Sequence, residues 1–434
     1  MNRSATYPDL DFESVDRIRE VQAALLRQHA RRCARRSPYY RRLFRRLGAD
    51  PGALTPETLH RLPTTGKEDF ARENEAFLAV PRERIADLVL SSGTTGAPTP
   101  VAYTERDLRR LAYNEAQAFR ACGIGRGDVV LLTCTMDRCF VAGLAYFLGV
   151  RAAGAAAIRN GHGSLASHAH VIRTLRPTAV VGVPSFLRKL GEYLAGQGEP
   201  PSASSVRRLV CIGEPVRDRA LEPLKLGRDL RALWKASVHS TYASSECVST
   251  FCECGAGPGG HASPDLVLVE ILDARGTPVP DGEVGEVTLT PLGVEGMPLL
   301  RFRTGDESFR VPGSCACGRQ SPRLGPILGR RRQMLKVRGT TLYPQAVFAA
   351  LDEIPGVGEF CLEVERDDLS DRLTVRIAER PGLDLAAIGD ALQARLRVRP
   401  ELTTAPEAEI RARVYDPESR KPVRVFIRPT RRTG

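Results

Sequence analysis

The sequence predicts an α/β protein. A large N-terminal domain of mainly parallel sheets and helices, with a barrel-like β portion, precedes a small α+β C-terminal domain. Three observations predict this. From Ile85, short apolar runs ("DLVL", "DVVLLTCT", "TAVVGV", "RLVCIG") alternate with helical stretches ("ERDLRRLAYNEAQAFRAC", "SLASHAHVIRTL", "PSFLRKLGEYLAG"), the pattern of a parallel sheet with crossover helices. After Leu266 the texture becomes strand, Gly/Pro turn, strand in "LVLVEILDARGTPVPDGEVGEVTLTPL". Beyond the charged connector "LGRRRQMLKVRG", the order is helix, strand, strand, helix. The 434 residues are too many for one simple core. The boundary is expected between 330 and 331, giving domains 1–330 and 331–434.

Residues 12 to 50 read as helix, ending near Gly48 and "DPG". Within them "RQHARRCARRSPYYRRLFRR" has the spacing of an amphipathic helix with a solvated, Arg-rich polar face. "LTPETLHRLPTTGKEDF" carries Thr caps and a Pro-bounded loop. "IADLVL" reads as a buried strand, and "SSGTTGAPTP" follows it at once. Gly admits backbone shapes closed to other residues, and hydroxyls donate without bulk. That composition suits a loop around phosphate oxygens, or a polar turn between strands. It is not the GxxxxGK[ST] loop, because no Lys follows the second Gly. In a parallel sheet, ligands bind beyond the carboxyl ends of the strands, where this loop is expected.

Composition narrows the function. Hydrophobic content of 42% and charged content of 26% are those of a soluble globular protein. The longest weakly polar run, "FVAGLAYFLGVRAAGAAAI", is interrupted by Arg151, so no membrane partner is expected. The N-terminal "MNRSATYPDLDFESVDRIRE" lacks an apolar core, so a cytoplasmic location is expected. The net charge of +12 does not make a nucleic-acid reader. Basic residues are scattered among 51 acids, and aromatics are only 6%. Only six of the 63 basic residues are Lys: Lys67, Lys189, Lys225, Lys235, Lys336 and Lys421. A Lys at a position where chemistry needs a cation therefore carries weight.

Five motifs stand in order: "SSGTTGAPTPVAYT" (91–104), "YASSE" (242–246), "RFRTGD" (301–306), "LGRRRQMLKVRGTTLYP" (328–344) and "ESRKPVRV" (418–425). Together they resemble the adenylate-forming enzymes, the acyl- and aryl-CoA synthetases and their kin. "SPYYRRLF", "RLPTTGKEDF" and Thr99, where the wider superfamily has Lys, are similar to the phenylacetate-CoA ligase branch.

The resemblance implies two half-reactions: ATP and a carboxylate give an acyl-adenylate and pyrophosphate, and a nucleophile then takes the acyl group. It implies that Ser91, Ser92, Gly93, Thr94, Thr95 and Gly96 hold the triphosphate. Glu246 would bind Mg²⁺, which favours hard oxygen ligands. Tyr242 would lie on adenine, and Asp306 would accept from the ribose. Gly213 and Glu214 in "CIGEPV" would form an adenine- and acyl-side loop, and Ser245 and Arg330 fall in the nucleotide-binding motifs. Lys421 matches the Lys that neutralises charge at the α-phosphate. The chain departs from the family beside that Lys, where Arg420 replaces Gly and Pro422 follows. It departs again at the hinge, where Arg331, Arg332 and Gln333 replace acids. Phe140 matches an aromatic wall of the acyl pocket, and Asp137 and Arg138 replace smaller or aromatic residues there. Charge at that place would favour a polar substituent on an aromatic acid; both side chains facing solvent is the alternative.

The cysteines complete the reading. Cys33, Cys122, Cys134, Cys139, Cys211 and Cys361 are scattered singly and are expected to be buried small hydrophobes. "FCECGAGPGGHASPD" and "SCACGR" instead bring Cys252, Cys254, His261, Cys315 and Cys317 into one stretch. Thiolates with an imidazole are the ligands of structural Zn²⁺. The expected set is Cys254, His261, Cys315 and Cys317, with Cys252 as substitute if Cys254 points away; a group of reduced thiols beside a surface His is the alternative. Expected cofactors are thus ATP, Mg²⁺ and structural Zn²⁺, with CoA as acyl acceptor. A carrier-protein thiol or an amine is the alternative acceptor, and a nucleotide-binding protein with little catalysis is a third reading. The resemblance also allows for a homodimer.

Overall fold

A computed structural model describes residues 7, 9–91, 98–337, 340–367, 370–415 and 422–428. The chain forms two compact units, Met1–Ile327 and Leu328–Gly434. The break falls just before the expected 330/331.

The N-terminal helical stretch is two helices, not one. Val15–Arg36 is capped by Ser14, whose Oγ accepts from the Arg17 N–H at 3.2 Å. It stops at Ser37 because Pro38 follows, and Pro disfavours helical geometry in its predecessor. Ser37 then caps Pro38–Leu47, which ends at left-handed Gly48 (φ 59°). Ile18, Val21, Leu26, Ala30 and Cys33 face the core, while Arg31, Arg35, Arg36, Arg41, Arg45 and Arg46 are exposed.

The main sheet of the first unit has nine strands. Five run parallel, in the order Ala156–Arg159, Val129–Leu132, Ala179–Gly182, Arg208–Ile212, Ser237–Ser244. Ser249–Cys254, Gly257–His261, Arg323–Leu324 and Arg310–Val311 continue it antiparallel. Neighbouring residues on one strand serve opposite faces. Val130 and Leu132 pack with Phe119, Tyr146 and Val150. Leu131 packs on the other side with Leu187, Leu190, Leu230 and Trp234. Burial on both faces is why these strands read as continuous apolar runs.

A second sheet orders Thr65–Gly66, Phe302–Ser308, Gly285–Pro291 and Val267–Leu272; its first pair is parallel and the rest antiparallel. Ile85–Leu90 departs from expectation. It joins neither large sheet but pairs antiparallel with Pro100–Thr104 in a two-stranded ribbon. Val89 is its one fully buried residue, and Leu88 is 60% exposed. A two-stranded ribbon cannot cover both faces of an apolar run, so the buried-strand reading fails here.

In the second unit, Glu401–Ala405, Arg372–Ala378, Phe360–Glu365 and Val425–Arg428 form a four-stranded sheet. Helices Pro344–Asp352, Leu385–Leu396 and Glu407–Val414 accompany it. Its core gathers Val347, Leu351, Phe360, Leu362, Val375, Ile377 and Leu392.

Candidate active site

Two strands, one from each of the two large sheets of the first unit, meet at the candidate site. Ser237–Ser244 carries Tyr242 at its carboxyl end; the chain turns through Ser245, Glu246 and Cys247 and returns as Ser249–Cys254. Tyr242 packs against Phe251 of the returning strand, ring centroids 5.8 Å apart. Its hydroxyl donates to Asp306 Oδ2 at 2.8 Å. Burial, then the neighbouring Asp306 carboxylate, push the Tyr242 phenol well above its ordinary value, so it stays a donor. Asp306 belongs to Phe302–Ser308, where Gly305 takes φ 78°. That left-handed residue suits Gly and turns the strand just before the carboxylate. The Asp306 N–H donates to Thr304 Oγ1 at 3.2 Å, and the Gly305 N–H to Glu286 Oε1 at 3.1 Å.

Glu246 is buried. Its Oε2 accepts from Ser244 Oγ at 3.0 Å, and its Oε1 lies 3.9 Å from Lys67 Nζ. The turn that presents it is pinned by buried Tyr103, whose hydroxyl donates to the Ser245 carbonyl at 2.7 Å. A carboxylate supplies the kind of hard oxygen ligand that Mg²⁺ favours.

Gly213 (φ 77°) and Glu214 follow strand Arg208–Ile212. Both Glu214 oxygens are engaged by Ser185, through its N–H at 2.9 Å and its hydroxyl at 2.9 Å. Ser185 opens helix Pro184–Gly196, whose positive end favours the carboxylate.

The segment after Val129–Leu132 holds the expected acyl-side residues. Arg138 (φ 57°) and Cys139 (φ 53°) are consecutive left-handed non-glycine residues, a sparsely populated conformation. The Cys139 carbonyl accepts from the Leu90 N–H at 2.9 Å, so this loop holds the ribbon that leads to Ser91. Asp137 and Arg138 are exposed, and Phe140 is half-buried at the start of helix Val141–Ala152. Gly143 on that helix lies so close to the Thr135 carbonyl that a Cβ has no room. Asp137 accepts from the Thr135 hydroxyl, which lowers its pKa.

Ser91 closes the base of the Ser/Thr/Gly loop: its N–H donates to the Thr99 carbonyl at 3.0 Å, and its Oγ accepts from the Thr99 N–H at 3.3 Å. Ser92, Gly93, Thr94, Thr95, Gly96 and Lys421 lie outside the described residues. Arg330 is half-buried near the start of the second unit.

The thiol group comes together on strands Ser249–Cys254 and Gly257–His261 and on the turn at Cys315–Gly318. Ligand atoms of Cys254, His261, Cys315 and Cys317 all lie within 4.8 Å of one another. Cys254 Sγ is 3.5 Å from Cys315 Sγ, and Cys317 Sγ is 3.5 Å from His261 Nε2. The other ring nitrogen, Nδ1, meets Ser321 Oγ at 3.1 Å and so is held as a metal-bound imidazole is held. Burial lowers His261 to about 4, leaving it neutral, and raises the Cys254 thiol to about 11. At Cys317, burial is outweighed by hydrogen bonds from Arg319 and the neighbouring thiols, and its pKa falls. The donor set and spacing fit tetrahedral zinc. Cys252 is not in the group: it is buried in the core with Cys122, and Thr241 Oγ1 donates to its Sγ at 3.4 Å.

Comparison with known proteins agrees with this architecture. The family described as AMP-binding enzyme matches residues 46–294. The chain belongs to the AMP-binding enzymes. Phenylacetate-coenzyme A ligase of Thermus thermophilus is 33% identical over 378 residues, covering 85% of this chain and 83% of that enzyme. The Escherichia coli phenylacetate-coenzyme A ligase is 30% identical over 377 residues, covering 85% and 84%. These place the chain on the phenylacetate-CoA ligase-like branch. Among solved structures, a 2-hydroxyisobutyryl-CoA ligase in complex with R3-HIB-AMP has a TM-score of 0.84 at 21% identity, covering 99% of this chain and 94% of that one. It shares the fold.

This AMP-binding enzyme is an ATP-dependent, AMP-forming ligase. The candidate site contains residues that the sequence did not single out. Ser185, Ser244 and Tyr103 are ordinary residue types whose roles arise only from the fold. Lys67 could have been noticed, since the scarcity of Lys that marks Lys421 applies equally to it.

Proposed function

We propose that the protein activates an aromatic carboxylic acid with ATP and transfers the acyl group to CoA. The observation that carries this reading is the Tyr242–Asp306 hydrogen bond, which joins the "YASSE" and "RTGD" motifs across two sheets. In this reading Tyr242 presents its ring to adenine and Asp306 accepts from the ribose hydroxyls. Glu246 holds Mg²⁺, which neutralises phosphate charge when bound. Ser91 through Gly96 hold the triphosphate. Lys421 neutralises the charge that develops as the carboxylate attacks the α-phosphorus. Phe140 walls the acyl pocket, with Asp137 and Arg138 at its exposed edge, and Gly213 and Glu214 border the adenylate.

Cys254, His261, Cys315 and Cys317 hold a structural Zn²⁺ in the same reading; four protein ligands leave no position for substrate. The described cysteines are all free thiols, which suits the reducing cytoplasm. No helix among the described residues is long and apolar enough to cross a membrane.

The test is pyrophosphate release from ATP with a panel of aromatic and aliphatic acids, with and without CoA. Acid-dependent release, with a thioester appearing only when CoA is added, is the expected result. Release without thioester would move the acceptor to a carrier-protein thiol or an amine. No release with any acid would overturn the reading.

A further inference from the structure

Strands Gly285–Pro291 and Phe302–Ser308 pair in two registers. Leu289↔Phe302 and Thr288↔Arg303 stand on one side of a break, Glu286↔Glu307 and Gly285↔Ser308 on the other. Between them the single residue Val287 is set against three: Thr304, Gly305 and Asp306. A bulge of this kind re-aims the side chains it carries. It also turns backbone N–H groups away from the ladder, and buried ones need other partners. Side chains supply them here. The Thr304 hydroxyl donates to the Val287 carbonyl at 2.8 Å and accepts from the Asp306 N–H at 3.2 Å. The Gly305 N–H donates to Glu286 Oε1 at 3.1 Å.

Glu286 anchors the bulge from the neighbouring strand. Its side chain is 5% exposed, and Arg303 holds the other carboxylate oxygen, with Nε 2.8 Å from Oε2. A carboxylate buried this deeply is tolerated because it is paired and hydrogen-bonded. Arg303 stands immediately before the bulge and Gly305 inside it, so one carboxylate grips the segment at two points. Gly305, at φ 78°, is the residue with the widest choice of backbone conformation. A bond to its N–H therefore decides which way the next residue points. That residue is Asp306, whose carboxylate accepts from Tyr242.

We propose that Glu286 is a positioning residue for nucleotide recognition: through the Gly305 N–H it fixes the bulge that aims the Asp306 carboxylate at the ribose. The proposal rests on the adenylation reading above, in which Asp306 accepts from the ribose hydroxyls.

The test is calorimetric titration of ATP and of 2′,3′-dideoxy-ATP, with Mg²⁺, into wild type, Glu286→Ala and Glu286→Gln. Hydrogen bonds from the ribose to a carboxylate correspond to about a tenfold to hundredfold change in affinity, so the wild type should prefer ATP by that much. Glu286→Ala should cut the preference to less than about threefold, by weakening ATP while leaving 2′,3′-dideoxy-ATP nearly unchanged. Glu286→Gln retains a carbonyl oxygen for the Gly305 N–H and should keep most of the preference. If Glu286→Ala is too unstable to titrate, because Arg303 has lost its carboxylate, Glu286→Ala with Arg303→Met replaces it with the same expectation. Equal losses for the two nucleotides, or no loss for either, would overturn the proposal while leaving the adenylation reading intact. Glu286→Gln losing the preference as fully as Glu286→Ala would also overturn it, since the contact to Gly305 would then not be what matters. A wild type that binds both nucleotides equally would take ribose recognition from Asp306 and the proposal with it. A wild type that binds no ATP would overturn the adenylation reading as well.

Discussion

The Tyr242 hydroxyl and the Asp306 carboxylate meet at 2.8 Å, although each belongs to a different sheet. This bond links the two surfaces on which the adenylate is proposed to rest. Its donor cannot ionise in the working pH range, because burial and Asp306 itself hold the phenol protonated. A neutral donor on a charged acceptor is among the stronger hydrogen bonds, at about 1.5–3 kcal/mol.

Asp306→Ala removes the proposed ribose acceptor and the partner of Tyr242 together. ATP affinity should fall by about a hundredfold or more, the sum of two such bonds, and pyrophosphate release should vanish under ordinary assay conditions. Tyr242→Phe keeps the ring and loses only the bond, so a loss near tenfold is expected. Calorimetry with ATP checks both. Values within twofold of wild type for the pair would remove Asp306 from the site.

Glu246→Gln keeps shape and the Ser244 contact but loses the charge that Mg²⁺ needs. Pyrophosphate release should be abolished, while the thermal midpoint falls by no more than about 2–4 °C, because Lys67, left facing a neutral amide, keeps part of its contact with water. Raising Mg²⁺ should restore part of the rate. Near-normal release at low Mg²⁺ would place the metal elsewhere.

The parts of the fold written in local pattern were readable in advance, and those decided by distant partners were not. Strands Val129–Leu132, Ala179–Gly182 and Arg208–Ile212 announce themselves because burial on both faces demands unbroken apolar runs. Ile85–Leu90 has the same texture yet ends in a ribbon, since a run of apolar residues does not name its partner. The Ser37–Pro38 break was written in the chain as a cap residue before a proline, and the Arg periodicity continuing across it masked it. Motif residues Tyr242, Glu246 and Asp306 were legible as types in order. The Lys67–Glu246 contact was not, because only the parallel pairing of Thr65–Gly66 with Phe302–Ser308 creates it.

Lys421→Ala separates the half-reactions. A cation at the α-phosphate serves adenylate formation only, so that step should slow by roughly 10²-fold or more. Transfer from a supplied acyl-adenylate should be nearly unaffected. Arg420 is a second cation beside it, so the double variant is measured alongside. Equal slowing of both steps would count against a division of labour between them.

Glu115 predicts a pH dependence of stability. It is buried, accepts from the Thr250 hydroxyl, and burial raises its carboxyl to about 7 from 4.5. The folded state therefore binds the proton more tightly than the unfolded chain does. Its contribution is fully present below about pH 4.5 and is lost as pH rises through about 7. Buried His29, lowered to about 4, works in the opposite sense below pH 6.5. The difference between Glu115→Gln and wild type isolates the acid. It should be small at pH 5 and should favour the variant at pH 8 by on the order of 2 kcal/mol. Denaturant melts at both pH values decide, and a pH-independent difference would mean that Glu115 ionises freely in the fold.

The thiol group makes the last prediction. Protein purified without added metal should carry one Zn²⁺ per chain, and Cys315→Ser with Cys317→Ser should lose it. The midpoint should then fall by several °C, since about 1 kcal/mol moves it by only ~2–4 °C in a large domain. Pyrophosphate release, measured well below that midpoint, should survive, because the four ligands close the coordination sphere. The pH sense follows from the ligands. His261 is already neutral, so it does not limit binding, whereas the Cys254 thiol, raised to about 11, must lose its proton to the metal. Affinity measured against a chelator should therefore rise with pH between about 7 and 9, with protons released on binding. Metal-free wild type with an unchanged midpoint would mean that the four side chains are only neighbouring thiols and a histidine. Affinity independent of pH would mean that none of the three thiols gives up a proton to the metal.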